Sequence, residues 1–287
     1  MKKTKEENMK KNTPKNVLLV VVLLFVLALA LFPILYPLMS SFRTDKEIYE
    51  YSMPFQLHTL WPVNWTFENY KMLFTEYNFG QYLLNTLFEI GVIIPLTILI
   101  CSLAAFAFTF YNFRGKKVLF SLFMVTFMIP AESIALPLYQ LVNNMHMVNT
   151  YWALILPALA NGLTLFMFTQ SFRDIPPSLL EAARIDGGGW WTCYWHVVMP
   201  LSKAIIVAMC LMTFVNEWNN YLWPLLVARL DNVKTVTIAI CAFKEENITH
   251  WSMIYASSMF SALVPICIFL PFQKYFVQGI SSSGVKG

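Results

Sequence analysis

Apolar residues in this chain run in long blocks separated by short polar ones. The blocks fall at 17–39, 81–110, 118–139, 151–172, 204–223 and 253–275. Each approaches or exceeds the ~20 residues that a helix needs to cross a ~30 Å hydrocarbon core. Backbone N–H and C=O groups find no water in lipid, so these blocks predict helices. The expected fold is all-α and polytopic, with six transmembrane helices. Pro130 and Pro137 interrupt the third block and Pro224 follows the fifth, and each can kink its helix. A secretory signal peptide is the rival reading of the first block. Such a peptide has an apolar stretch of ~7–15 residues ending in small residues, whereas this block is longer and ends in PILYPLMSSFR, so it reads as a retained helix.

The polar stretches complete the expected organisation: a basic tail at 1–16, a first helix at 17–42, an outer loop with a short amphipathic helix at 43–80, a core of five helices at 81–278, and a tail at 279–287. The core holds a long connector at 173–203. Six crossings place both termini on one side. That side carries fourteen of the 20 Lys and Arg residues, in the N-terminal tail, the turn NFRGKK, the connector and the C-terminal end. Positive residues favour the cytoplasmic face, so both termini and the connector are expected there, with the loops at 140–150 and 224–250 outside.

Composition narrows the function classes. Charged residues make up 13% of the chain against roughly 25% in soluble domains. The net charge of +4 comes from basic groups at the ends of apolar blocks, not from a patch interleaved with aromatics, which argues against nucleic acid. Five cysteines are scattered without a CxxC pair and read as apolar packers, not as a metal or disulfide set. Phe110 stands where a phosphate-binding loop ending in Gly115-Lys116 would need its first glycine. No residues have metal-ligand spacing or the arrangement of a nucleophile with its base. The chain is therefore expected to have no catalytic or metal residues and to bind no cofactor of its own.

The most unusual stretch is EAARIDGGGWW, at 181–191, inside the connector. Pro176 and Pro177 suit the first turn of a helix, where a missing N–H costs little. A short helix is expected at 178–186, with Glu181 and Arg184 spaced to pair on one face. Gly187 falls where a helix takes a left-handed cap. A second short helix at 190–198 would be closed by Pro200. A plain connector of ~30 residues would be long, so the stretch reads as a stiff elbow.

Glu181-Ala182-Ala183, Gly187 and Val197-Val198-Met199-Pro200 have the spacing of the cytoplasmic signature EAA-x3-G-x9-I-x-L-P. In this the chain resembles the permease subunits of binding-protein-dependent ABC importers. The segments TFENY, YLLNT, MIPAESIALPLYQL, NTYWALILP, EWNNYLWP and YFVQGISSSGVKG make it similar to the carbohydrate-uptake branch, in particular to smaller subunits of the maltose-permease type. It departs from that branch at Asn220, where an acid is usual, and at Gly188-Gly189, where Ala-Ser is usual; the glycines suggest a looser elbow.

The resemblance implies a type I ABC importer permease in a bacterial inner membrane, forming half of a translocation pathway for a sugar or oligosaccharide. It implies a second homologous permease subunit, a cytoplasmic ATPase dimer that uses ATP and Mg, and an extracytoplasmic solute-binding protein, all within membrane lipid. It makes Glu181, Ala182, Ala183, Arg184, Asp186, Gly187 and Pro200 the ATPase-coupling residues.

Acids inside a membrane cost roughly 2.5–3.5 kcal/mol at mid-helix, and Glu89, Glu132 and Glu217 all fall in apolar blocks. Glu217, Trp218, Asn219, Asn220, Tyr221 and Pro224 are candidates for the pathway or its gate, because polar and aromatic groups together suit sugars. Hydrogen bonding between helices or a contact at the gate is the reading of these acids preferred over sugar binding. The rival functions are a permease for a non-sugar solute, an ion-coupled secondary transporter, and a membrane-embedded enzyme.

Overall fold

The computed structural model describes residues 13–52, 54, 56–244 and 249–283, with backbone alone at 13–15, 57 and 272–283. Most of the basic tail and the end of the C-terminal tail, with Lys286, lie outside the described residues. The elements in chain order are α1 (Thr13–Ser40), α2 (Asp45–Ser52), a single 3-10 turn (Leu57–Thr59), α3 (Glu68–Thr75), α4 (Phe79–Phe110), α5 (Lys116–Phe127), α6 (Ala131–Asn144), α7 (Tyr151–Ala158), α8 (Gly162–Arg173), α9 (Pro177–Ile185), α10 (Trp190–Leu201), α11 (Lys203–Trp218), α12 (Leu222–Val227), α13 (Val236–Cys241) and α14 (Trp251–Ser283). No strand occurs among the described residues beyond one bridge between Lys244 and Thr249.

Among the described residues, four helical stretches are long and apolar enough to cross a membrane: Asn16–Ser40, Phe79–Phe110, Tyr151–Arg173 and Trp251–Pro271. Two bent pairs raise the number to six if each pair is one span. The first pair is α5 with α6, bent by 99°, and the second is α10 with α11, bent by 77°. The third apolar block is thus not one kinked helix. With 12 residues, α5 reaches only about 18 Å, and the chain turns at 128–130 before α6 starts behind Pro130. Proline disfavours helical geometry in the residue before it, which places the break there. Pro137 sits inside α6 without ending it.

Other boundaries also shift. α6 runs to Asn144, so the outer loop expected at 140–150 is shorter. The fifth block ends at Trp218, and the polar stretch after it contains α12 and α13. Within the fourth block the helix pauses at 159–161, and Asn161 caps α8 by accepting the Thr164 N–H at 2.9 Å.

The chain divides into two compact units. One comprises 1–77 and 243–260, the other 78–242 and 261–287. In the first, α1 is exposed along its apolar length, while its C-terminal end leads into a polar knot. Arg43 is 1% exposed and pairs with Glu47 at 2.9 Å. The guanidinium also donates to the Thr59 carbonyl, and Glu47 accepts the N–H groups of Val63 and Asn64. A buried ion pair stabilises only when its remaining hydrogen-bonding sites are well filled; here each of the three guanidinium nitrogens donates and both Glu47 carboxylate oxygens accept.

The core of the second unit lies between α4, α8 and the elbow. Ile98, Ala105, Phe106, Leu165, Phe168 and Phe172 pack with Leu180, Cys193, Tyr194, Val198 and Met209. Gly162 is required at one crossing, where a Cβ would lie 2.5 Å from the Phe127 side chain.

Candidate functional site

The elbow is α9, the turn at 186–189, and α10. Pro177 occupies the first turn of α9, as the double proline predicts. The helix ends in a left-handed turn at Gly187, whose φ is +88°. Gly187 N–H reaches the Arg184 carbonyl at 3.1 Å and Gly188 N–H reaches the Ala183 carbonyl at 2.9 Å. This pair of bonds is a Schellman cap, which satisfies two carbonyls that the helix end would leave open.

The glycine triplet is not loose at its centre. A Cβ on Gly188 would come within 2.6 Å of the Ala183 carbonyl oxygen and 3.1 Å of Thr192 Cγ2. Gly189 is different: it has φ −81° and ψ 179°, an ordinary extended geometry, with open space around it.

Leu180 roots α9 in the core at 5% exposure, while Ile185, at its far end, is 85% exposed. Glu181, Ala182, Arg184 and Asp186 are exposed, and Ala183 is half-buried. The Glu181–Arg184 pair is not formed. The Arg184 guanidinium instead lies 4.7 Å from the centre of the Trp190 ring. An exposed cation–π contact is worth ~0.5–1 kcal/mol, against ~0.2–0.5 for a helical ion pair, so the ring wins. Trp190 also meets Tyr111 at 4.4 Å between ring centres, tying the elbow to the end of α4. The carboxylates of Glu181 and Asp186 make no hydrogen bond or ion pair among the described residues.

The second short helix runs to Leu201 and contains one wide turn, in which Met199 N–H bonds the Tyr194 carbonyl five residues back. Pro200, in the next turn, has no N–H to offer. The wider turn lets Cys193, Tyr194 and Val198 all be fully buried. Tyr194 hydroxyl and Ser102 Oγ share a 2.7 Å hydrogen bond across to α4.

The pathway candidates are dispersed around the end of α11. Glu217 is buried and receives the side-chain amides of Asn216 at 3.4 Å and Asn220 at 3.2 Å. Trp218 is buried and stacks on Phe214. Asn219 is exposed and bonds back to the Val215 carbonyl, Tyr221 is exposed, and Pro224 is buried. Glu89, also buried, lies within electrostatic reach of Glu217. Glu132 is instead exposed, in the first turn of α6 beside the break.

A clasp at the other end of the same unit was not anticipated. The Asn85 amide donates to the carbonyls of Asp231 and Lys234 and accepts from the Tyr151 hydroxyl at 2.8 Å. Thr86 accepts the Val236 N–H, and Tyr82 donates to Asp231 at 3.0 Å. Asn149 accepts the N–H groups of Arg229 and Leu230.

Residues 97–281, which include the elbow, match the family described as binding-protein-dependent transport system inner membrane component. The chain belongs to this family. Among similar proteins, the arabinooligosaccharides transport system permease protein AraQ of Halalkalibacterium halodurans is 32% identical, over 87% of this chain and 89% of that one. The sn-glycerol-3-phosphate transport system permease protein UgpE of Yersinia enterocolitica is 33% identical, over 71% of this chain and 74% of that one. A chain from the crystal structure of a bacterial ABC transporter involved in the import of the acidic polysaccharide alginate superposes with a TM-score of 0.78. It covers 93% of this chain and 98% of that one, at 21% identity, so the two share a fold. This inner membrane component therefore has the fold of an ABC importer permease, and its elbow lies within the residues matched to the family.

Proposed function

We propose that this chain is one permease subunit of an ATP-driven ABC importer for a sugar or oligosaccharide. It forms half of the translocation pathway and takes its driving force from a separate ATPase dimer, which uses ATP with Mg. The observation that carries the reading is the elbow: a short capped helix rooted in the core at Leu180, with an outer face on which the side chains of the acids Glu181 and Asp186 have no hydrogen-bond or ion-pair partner among the described residues and apolar Ile185 is exposed. An exposed apolar side chain flanked by unpaired acids suits a groove on another protein.

Mechanically, closure of the ATPase dimer would move α9 as a rigid body. The Schellman cap and the Arg184–Trp190–Tyr111 contacts keep α9 and α10 from flexing independently, and α10 continues through the 77° bend into α11. Displacement of the elbow would thus be passed to the helices that line the pathway, a switch between two packed arrangements. Glu181, Ala182, Ala183, Arg184, Asp186, Gly187 and Pro200 would serve this coupling, with Ile185 added as the apolar anchor. Glu217 to Tyr221 and Pro224 would border the pathway or gate.

In this reading each bent pair is one span, giving six. The basic faces and both termini are cytoplasmic, the membrane is a bacterial inner membrane, and an extracytoplasmic solute-binding protein delivers the solute to this subunit and a second permease. The arabinooligosaccharide relative supports sugar as the solute; the sn-glycerol-3-phosphate relative is the observation favouring a non-sugar alternative. The test is uptake in vesicles containing the complex. Solute accumulation is expected only with ATP and the ATPase present. Accumulation driven by an ion gradient without the ATPase would refute the reading.

A further inference from the structure

Helix ends and breaks converge on one cavity in the second unit. α5 stops at Phe127, α8 starts at Gly162 behind its Asn161 cap, and α11 carries Asn216 two residues before its own end. Between them is a cavity of about 460 Å3, whose lining includes Phe127, Asn161, Thr164, Met212, Thr213 and Asn216. Interrupted helices at membrane depth are tolerated where they line a polar cavity, and in transporters they mark the substrate site.

The polar groups here are only partly used by the fold. Thr213 is 3% exposed, yet its hydroxyl oxygen has no hydrogen-bond partner. A buried hydroxyl without a partner is unusual enough to need a reason. Asn161 uses its side-chain oxygen on the Thr164 N–H, which leaves its amide nitrogen to donate. Asn216 leans on Glu217 with a long 3.4 Å contact that a better acceptor could displace. The polar lining is all uncharged: amides and hydroxyls, beside the apolar faces of Phe127 and Met212. The lining holds no Lys, Arg or His, so a phosphate or carboxylate solute would find no counter-charge there.

From this we infer that the cavity is a subsite for an uncharged polyhydroxylated solute, held by the Thr213 hydroxyl and the Asn161 and Asn216 amides. The inference rests on the importer reading and sharpens it, because it gives this subunit its own contact with the solute and excludes anions.

The experiment uses the complete transporter, with both permeases, the ATPase dimer and the external binding protein, in proteoliposomes. Radiolabelled arabino-, xylo- and malto-oligosaccharides are compared with oligogalacturonate and sn-glycerol-3-phosphate. The solute carried is expected to be one of the neutral set. Thr213→Val, which keeps shape and removes the hydroxyl, is expected to lower its uptake at least fivefold, and Thr213→Ser to retain it. In a background lacking the five native cysteines, Asn216→Cys is expected to react with a methanethiosulfonate reagent and to be protected at least fivefold by that solute. Preferred carriage of an anionic solute, or carriage of a neutral one that does not protect Asn216→Cys, overturns the subsite. Absence of ATP-driven uptake of every solute overturns the importer reading itself and the subsite with it.

Discussion

The elbow at 177–201 and the hairpin at 222–241 are both pairs of short helices, joined at 186–189 in the first and by the longer stretch 228–235 in the second, and they are held in place by opposite means. The elbow is set by its own backbone: Pro177 starts it, Gly187 and Gly188 cap it, and the cap bonds span at most five residues. Its outer carboxylates, Glu181 and Asp186, have no hydrogen-bond or ion-pair partner among the described residues. The hairpin is stitched by side chains far away in sequence. Asn85 and Thr86 on α4, with Asn149 just before α7 and Tyr151 on it, take up the backbone of 229–236, and Tyr82 on α4 donates to the Asp231 carboxylate. A segment that must engage another protein keeps its polar groups free and gets its stiffness locally. A segment that only has to stay put can use those groups on its own fold.

The largest expected effect comes from cutting the hairpin's central stitch. Asn85→Leu removes two donated bonds and one accepted bond and leaves the Asp231 and Lys234 carbonyls to find new partners, while the Tyr151 hydroxyl keeps the Asn232 carbonyl. Each buried group left unsatisfied costs about 1–3 kcal/mol, so the loss should reach about 3 kcal/mol. Hydrogen exchange at 229–236 should accelerate at least a hundredfold while exchange in α9 stays unchanged. Equal acceleration in both regions would show that the two are not independently held.

Gly187→Val attacks the local device. A β-branched residue at φ +88° is strained by about 2 kcal/mol or more. The complex should assemble and its ATP-driven uptake should fall at least tenfold, with exchange in 229–236 unaffected. Normal uptake by this variant would count against a coupling role for the elbow. Gly188→Ala should be milder, at about 1–2 kcal/mol, because its Cβ meets the Ala183 carbonyl at 2.6 Å and the cap must widen to admit it.

Acid offers a smaller perturbation of the hairpin alone. The Lys234 ammonium and then the Tyr82 hydroxyl, both bonded to Asp231, hold its carboxyl below the usual aspartate range. A depressed folded-state value means that this contribution is fully present above the ordinary value near ~3.9 and is lost only as pH falls through the lower one. Asp231 is largely exposed, so the effect is slight. Exchange at 229–236 should therefore be flat between pH 7 and 5 apart from intrinsic chemistry, and Asp231→Asn should remove any acid sensitivity below that.

The same contrast explains what could be read from sequence. Helix N-terminal prolines, a capping glycine and the EAA spacing are local signals, and α9 fell within a residue of its expected place. Apolar blocks located every membrane-length helix for the same reason. The breaks were harder. Pro130 was visible as a kink, but a 99° turn depends on what packs around it. Asn161-Gly162 is a turn-type dipeptide inside an apolar block and could have flagged the second break. Asn85 and Thr213 carried no signal, because one polar residue in an apolar helix looks alike whether it clasps a hairpin or lines a cavity. The Glu181–Arg184 pair failed for a related reason: spacing permitted it, and Trp190, five residues outside the helix, offered Arg184 more.

The smallest effect belongs to Gly189, and it separates the two roles within the glycine triplet. Gly189 precedes α10 with an extended backbone, no steric neighbour within 4 Å, and no side chain to accept the first free N–H groups of that helix. Ser at such a position usually improves on Gly by a few tenths of a kcal/mol, so Gly189→Ser should leave uptake unchanged and slow exchange at 190–192 by less than twofold. If Gly189→Ser instead impaired uptake as Gly187→Val is expected to, the requirement would be for freedom of the whole turn, and the elbow would work as a hinge. If it is silent, only the two glycines that make the cap matter, and the elbow works as a rigid lever.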